Sequence, residues 1–165
     1  MKKGYIPKDQ RKKILLLSDD IRTASGIGTM AKEIVMNTAH YFNWVNLGGA
    51  VNHPDNGKGF DLSEETNKNI GIEDSNVKVV ACNGYGDAGM VRSLIAQEQP
   101  DAIIHFTDPR YWVWLYQMEN EIRSEIPLMY LNIWDDLPDP LYNTNFYRSC
   151  DSLMSISKQT YGINK

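Results

Sequence analysis

Four short polar clusters, each at the end of an apolar run, carry the residue types that could do chemistry in this chain. Ser18-Asp19-Asp20 closes the run Ile14-Leu15-Leu16-Leu17, and Ser25-Gly26-Ile27-Gly28 follows after a short polar loop. Thr107, Asp108 and Arg110 follow the run ending at Phe106. Trp134, Asp135 and Asp136 follow Pro127 to Ile133, and Ser157 and Lys158 follow Ser152 to Ile156. Small and glycine residues between an apolar strand and an amphipathic helix expose backbone N–H groups at the positive end of a helix dipole. Such an edge holds an anion, most often a phosphate. The glycine pattern is partial: position 31 is Ala, so G-x-G-x-x-G is incomplete, and no Gly-Lys-Ser/Thr is present. The same loop also reads as a tight turn, with Gly26 supplying a positive φ and Gly28 letting helix and strand approach.

Positioning these clusters requires a regular frame, and the hydrophobic pattern supplies one. Residues 13–18 read as a strand buried on both faces, and 27–41 as an amphipathic helix with Met30, Ile34 and Val35 on its apolar side. Phe42 to Val51 reads as a second strand, Val77 to Cys82 as a third, Asp101 to Phe106 as a fourth, Pro127 to Ile133 as a fifth and Ser152 to Ile156 as a sixth. Helices are expected over Ala88 to Gln99, Tyr111 to Glu125 and Thr144 to Ser149, with another starting at Ser157. Asp87 and Thr144 read as helix caps. Residues 1–11 read as a flexible lead-in, and 52–76 as a polar surface excursion. Alternating strands and helices predict an α/β fold: a Rossmann-like, doubly wound parallel sheet of about six strands with helices on both faces. In such a sheet the carboxyl ends of the strands converge on one crevice, where ligands bind.

Composition narrows the class. At 165 residues, 42% of them hydrophobic, the chain is the size of one domain with a full core. A formal charge of −4 argues against sequence-independent nucleic-acid binding, which needs a basic face. Cys82 and Cys150 are isolated, which suggests neither a zinc knuckle nor a disulfide framework and makes a reducing, cytoplasmic setting the default. The basic N-terminus has no apolar stretch behind it, so neither a signal peptide nor a transmembrane segment is expected.

Four ordered segments carry a family resemblance: Ile14 to Asp19 with Ser25 to Ile34, Gln99 to Pro109, Pro127 to Asp135, and Cys150 to Gln159. Together they resemble the N-terminal half of a retaining, nucleotide-sugar-dependent glycosyltransferase with two Rossmann-like domains, the GT-B architecture. The resemblance implies glycosyl transfer from a nucleotide-diphosphate sugar, as co-substrate, to a hydroxyl acceptor, with no tightly bound cofactor or metal. It places Ser25, Gly26, Ile27 and Gly28 against the donor's phosphates, so Gly28→Val is expected to exclude the diphosphate and leave the fold intact. The family's fourth strand commonly ends in His-x-His. His105 matches the first position and Thr107 replaces the second, so His105 reads either as a ligand contact or as a core histidine. Thr107 and Asp108 are then the candidates at the reacting centre, with Arg110, Trp134, Asp135, Ser157 and Lys158 as further substrate contacts.

The resemblance also implies a C-terminal donor-binding domain beyond residue 165, in the same gene or in a separate chain. The domain alone is then expected to be inactive, mainly acceptor-binding and able to self-associate through its uncovered face. Two alternatives stay open: a non-catalytic nucleotide- or sugar-binding domain, and a receiver-like phospho-acceptor domain using Asp19, Asp20 and Lys158. The pairs Asp19-Asp20 and Asp135-Asp136 could suggest a metal site, but neighbouring acids on a strand end point to opposite sides. Tyr111, Trp112, Trp114 and Tyr116 read as packing residues at helical spacing.

Overall fold

Ile14, Leu15, Leu16 and Leu17 alternate between the two faces of strand β1 (Lys12–Asp19), and both faces are buried. The computed structural model describes every residue except Met1, His53, Asp135, Asp136, Asp139 and Lys165, and of Val51 the backbone alone. Asp135 and Asp136, singled out above, therefore lie outside the described residues.

The remaining elements follow in chain order: α1 (Gly26–Thr38), β2 (Phe42–Val51), β3 (Gly59–Asp61), α2 (Ser63–Ile70), β4 (Val77–Asn83), α3 (Ala88–Glu98) and β5 (Ala102–Phe106). Then come α4 (Val113–Gln117), α5 (Glu119–Arg123), β6 (Leu128–Asn132), α6 (Thr144–Arg148), β7 (Ser152–Ser155) and α7 (Lys158–Ile163). One sheet forms in the order β3-β4-β2-β1-β5-β6-β7, and every neighbouring pair is parallel except β3 with β4. Leu15, Leu17, Val45, Leu47 and Ile103 pack on one face against Val91 and Leu94 of α3, Leu115 and Tyr116 of α4, and Ile122 of α5. Ile14, Leu16, Val77, Val79 and Phe106 pack on the other against Ala31 and Val35 of α1, with Ile70 of α2 beside them. This is a Rossmann-like α/β fold.

The strand order fixes where a ligand crevice can lie. From the central β1 the chain first builds outward through β2 and β4, then returns and builds the opposite way through β5, β6 and β7. The switch point falls between the carboxyl ends of β1 and β5, where open α/β sheets bind ligands. A receiver-like domain instead sets its third parallel strand next to the first. Here that place is taken by β5, and β4 lies beyond β2, so the receiver-like alternative is excluded.

Several expectations about the elements are corrected. The excursion at 52–76 contains a seventh strand and a helix. β3 adds antiparallel to β4, and α2 ends on Gly71 in the left-handed region, φ 71°. The expected helix from Tyr111 to Glu125 is broken at Met118 into α4 and α5, after a 3-10 turn at Pro109–Trp112. That break lets Trp112, Leu115, Met118 and Ile122 all face the core. Asp87 caps α3 through Met90 N at 3.0 Å, but Thr144 is the first residue of α6 rather than its cap. The N-terminal lead-in is tied down. Arg11 is buried, with its guanidinium on Asp74, and the Tyr5 hydroxyl donates to Asp74 at 2.7 Å.

Candidate functional site

Asp19 and Asp20, neighbours at the end of β1, do turn to opposite sides. The Asp20 carboxylate accepts from Arg22, whose guanidinium lies 4.3 Å over the Phe60 ring. The Asp20 carbonyl accepts from Thr23 N and Oγ1, and Ile21 N donates to Asn46, which closes the loop after β1. Asp19 faces α1 instead. Its Oδ2 accepts from the Ser25 hydroxyl at 2.7 Å, and Ser25 Oγ in turn accepts from Gly28 N at 2.9 Å as the cap of α1. Asp19 Oδ1 is buried with no hydrogen-bond partner among the described residues. The N–H groups of Gly26 and Ile27 lie in the first turn, where a helix has no internal acceptor for them.

Gly28 makes the close approach expected of the tight-turn reading, and Gly26 does not play the part expected of it. Gly26 does not supply a positive φ; it starts the helix, and a side chain there would meet nothing within 4 Å. A Cβ on Gly28 would sit 2.6 Å from Thr23 Oγ1 and 2.9 Å from the Asp20 carbonyl. Gly28 is thus required by helix-to-loop packing, and Gly28→Val cannot leave the fold untouched. Gly48 does the same from β2, where a Cβ would lie 2.8 Å from Asp20.

Residues after β5 divide between core and surface. His105 is fully buried rather than at the rim. Its Nδ1 is 2.7 Å from the Tyr116 hydroxyl, its ring lies 4.9 Å from Trp112 and 5.1 Å from Tyr130, and Nε2 has no partner among the described residues. Burial pushes its pKa down to about 3. Thr107 is also buried, and its carbonyl accepts from the Tyr130 hydroxyl at 3.0 Å. Asp108 caps the 3-10 turn through Arg110 N and pairs with the Arg110 guanidinium. Burial works to raise the Asp108 pKa, but the Arg110 hydrogen bonds outweigh it and hold the carboxyl below its usual range. Those same bonds raise the Arg110 pKa.

The remaining candidates continue along the same rim. The Arg110 guanidinium lies 5.6 Å over the Tyr142 ring, and Tyr142 meets Trp134 edge-on at 5.9 Å. The Trp134 carbonyl accepts from Thr160, whose N–H is capped by Ser157 Oγ at 3.1 Å. Lys158 begins α7, exposed. The structure therefore joins Asp108, Arg110, Trp134 and Ser157 through one run of contacts. It keeps Thr107 beneath that run, against the role at the reacting centre expected of it, and His105 takes the core position that was one of its two readings. Of the four aromatics read as packing, Trp112 and Tyr116 are buried, but Tyr111 is exposed and stacks on Tyr85 with ring centroids 5.2 Å apart. Burial, and then the charges of Asp19 and Asp108, raise the Tyr85 pKa, which ties this pair to both sides of the switch point.

Sequence reasoning gave Asp19 a role only as a pair with Asp20, in the receiver-like and metal readings. The available signal was its place at the end of the only run of four aliphatic residues buried on both faces. Among the described residues no cluster of three or more His, Cys, Asp or Glu converges on a metal site, and no helix is long and apolar enough to cross a membrane. A cavity of about 650 Å³ lies away from the rim, between the β3–β4 edge and α3, but its Lys78 and Glu98 already pair at 2.6 Å. Comparison with protein-family models, curated proteins and solved structures found no match to this chain.

Two predictions follow from this geometry. Gly28→Val should lower stability by about 2 kcal/mol or more, the usual scale of overpacking, whereas Gly26→Ala should change it by less than about 0.5 kcal/mol; denaturant melts of the two variants check both. His105 stays neutral in the folded chain at a pH where the unfolded chain, titrating near 6.5, takes up a proton. Stability should accordingly fall as the pH falls from about 6 to 4.5, by up to about 1.4 kcal/mol per unit from this group. Melts across that range should show the contribution in the wild type and not in His105→Gln.

Proposed function

We propose that this chain is the acceptor-side domain of a glycosyltransferase that moves a sugar from a nucleotide-diphosphate donor to a hydroxyl acceptor. The observation that carries the reading is the half-satisfied Asp19 carboxylate at the switch point, beside the first turn of α1. One oxygen fixes Ser25, and the other is a buried acceptor without a donor. A ligand suited to this edge is anionic at one end and hydroxylated at the other. The α1 amides favour the phosphate oxygens, and Asp19 accepts from a sugar hydroxyl at the point of transfer. Leaving Asp19 Oδ1 unsatisfied costs about 1–3 kcal/mol, which a bound hydroxyl would recover.

The four segments that resemble the two-domain glycosyltransferases end at this same rim, which supports the choice of reaction over simple anion binding. Tyr111, Leu141 and Tyr142 are exposed around it and offer apolar surface for a second lobe. In this reading that lobe carries most of the nucleotide contacts and the cationic groups that stabilise the leaving diphosphate. Thr107 and Asp108 then act from beneath the site and as the anchor of Arg110, respectively, rather than on the reacting atoms.

Calorimetric titration of the chain with uridine, guanosine and adenosine diphosphate hexoses, each beside its free nucleoside diphosphate, tests the reading. At least one nucleotide sugar should bind more tightly than its nucleotide, and Asp19→Ala should erase that preference, a loss of about tenfold, or 1.4 kcal/mol. Equal binding of sugar nucleotide and nucleotide, or an unaltered preference in Asp19→Ala, would contradict it.

A further inference from the structure

Gly59 is a glycine the fold does not ask for. Its φ lies outside the left-handed region, and a Cβ there would meet nothing within 4 Å. It stands in the edge strand β3, where a glycine weakens the strand and marks a place that a ligand or a second backbone approaches closely.

The pairing of β3 leaves its outer side open. Lys58 O accepts from Ala81 N at 3.0 Å, and Leu62 N donates to Val77 O at 2.8 Å. The bonds to β4 therefore fall on every second residue, through Phe60 opposite Val79. The N–H and C=O groups of Gly59 and Asp61 point the other way, off the end of the sheet, where no strand lies among the described residues. Both residues are exposed.

Behind this edge lies the cavity of about 650 Å³ between β3–β4 and α3. Gly59 and Asp61 stand opposite Val80 and Lys78, on the face of the sheet that looks toward α3. Val80, Met90 and Leu94 make the lining apolar, and three carboxylates, Asp61, Asp87 and Glu98, stand there with one lysine. Glu98 is spent on Lys78 at 2.6 Å and Lys13 at 3.2 Å. Among the described residues no lysine or arginine pairs with Asp61 or Asp87. A cation carried on an apolar stem matches both the lining and the charge, and that is the form of a Lys or Arg side chain.

We propose that β3 takes up an extended segment of a partner protein as one more strand of the sheet, with a Lys or Arg of that segment facing Gly59. Residues facing one another across paired strands point to the same side of the sheet, and the strands lie about 4.8 Å apart. The basic side chain then passes over Gly59 into the cavity, toward Asp61 and Asp87, along a path that any side chain at position 59 would block. Backbone bonds to Gly59 and Asp61 hold the segment, and the cavity selects its residue. This surface is separate from the switch point and does not rest on the glycosyl-transfer reading.

Amide NMR of the intact chain tests it with acetyl-Thr-Val-Arg-Val-Thr-amide, its Lys and Glu counterparts, and acetyl-arginine amide. A basic peptide should move the Gly59, Asp61 and Met90 amides and bind about tenfold or more tightly than the Glu peptide or acetyl-arginine amide. Gly59→Val has room for its side chain and a residue suited to strands. It should melt no lower than the wild type and still weaken the basic peptide by about tenfold or more. Asp61→Asn should narrow the preference for the basic peptide over the Glu peptide. The proposal is overturned if neither basic peptide moves these amides, if the Glu peptide binds as well, or if either variant binds as the wild type does. Acetyl-arginine amide binding as tightly as the peptides would make the cavity a site for a small cation, without strand addition, and overturns it too. So do Gly59 and Asp61 amides that shift with protein concentration alone, the mark of β3 pairing with a second copy.

Discussion

The close approach of three backbone segments at the end of β1 is the constraint on which the rest of the site depends. The first turn of α1, the loop Asp20–Thr23 and the end of β2 meet at Gly28 and Gly48, at distances of 2.6–2.9 Å that no Cβ could occupy. Gly49 brings the turn after β4 into the same junction, since a Cβ there would lie 2.6 Å from the Gly84 carbonyl. Within that packing Asp20 N donates to Gly49 O, and the Asp20 carboxylate is taken up by Arg22. Asp19 is thereby left to point at α1, with Ser25 on one oxygen and, among the described residues, no partner on the other. The glycines make the site by excluding side chains from its foundations rather than by yielding space to a ligand. A Cβ on Gly26, by contrast, would meet nothing within 4 Å.

Charge at the rim is arranged so that few polar groups remain to bind anything. Arg22 and Arg110 are both spent on the carboxylate two residues before them, and each also lies over an aromatic ring. His105 is neutral and sealed beneath Trp112 and Tyr130. Among the described residues at this edge, Asp19 Oδ1 is a buried acceptor with no hydrogen-bond partner. Acceptors without donors select hydroxyl-bearing ligands, and the α1 amides supply the complementary donors for an anion.

Much of this frame was legible in the residues. Ile14 to Leu17 announced a strand buried on both faces, and the polar tips after each strand announced a common edge, because parallel α/β sheets bring carboxyl ends together. The edge strand β3 was not legible. Gly59-Phe60-Asp61 shows no alternation of its own and forms by pairing with Val80, Val79 and Lys78 beyond α2. The break at Met118 was hidden because Tyr111 to Glu125 has helical spacing throughout, and only packing decides that Trp112 and Ile122 face the same core. At the site, residue types exposed the candidates but not their partners. Asp108 and Arg110 look like free ligand contacts until their mutual ion pair is seen. Asn132 looks like the end of a strand and nothing more until Asn164, 32 positions further on, is seen to pair with it.

The central claim is that the switch point between β1 and β5 is where this chain takes its ligand. Amide chemical-shift mapping during titration with a uridine or guanosine diphosphate hexose addresses it most directly. The account predicts that Asp19, Ser25, Gly26, Ile27 and Asp108 move together and saturate at one ligand concentration, while Gly59, Lys78 and Glu98 stay still. Shifts confined to the β3–β4 edge and α3, with the α1 turn unmoved, would contradict it.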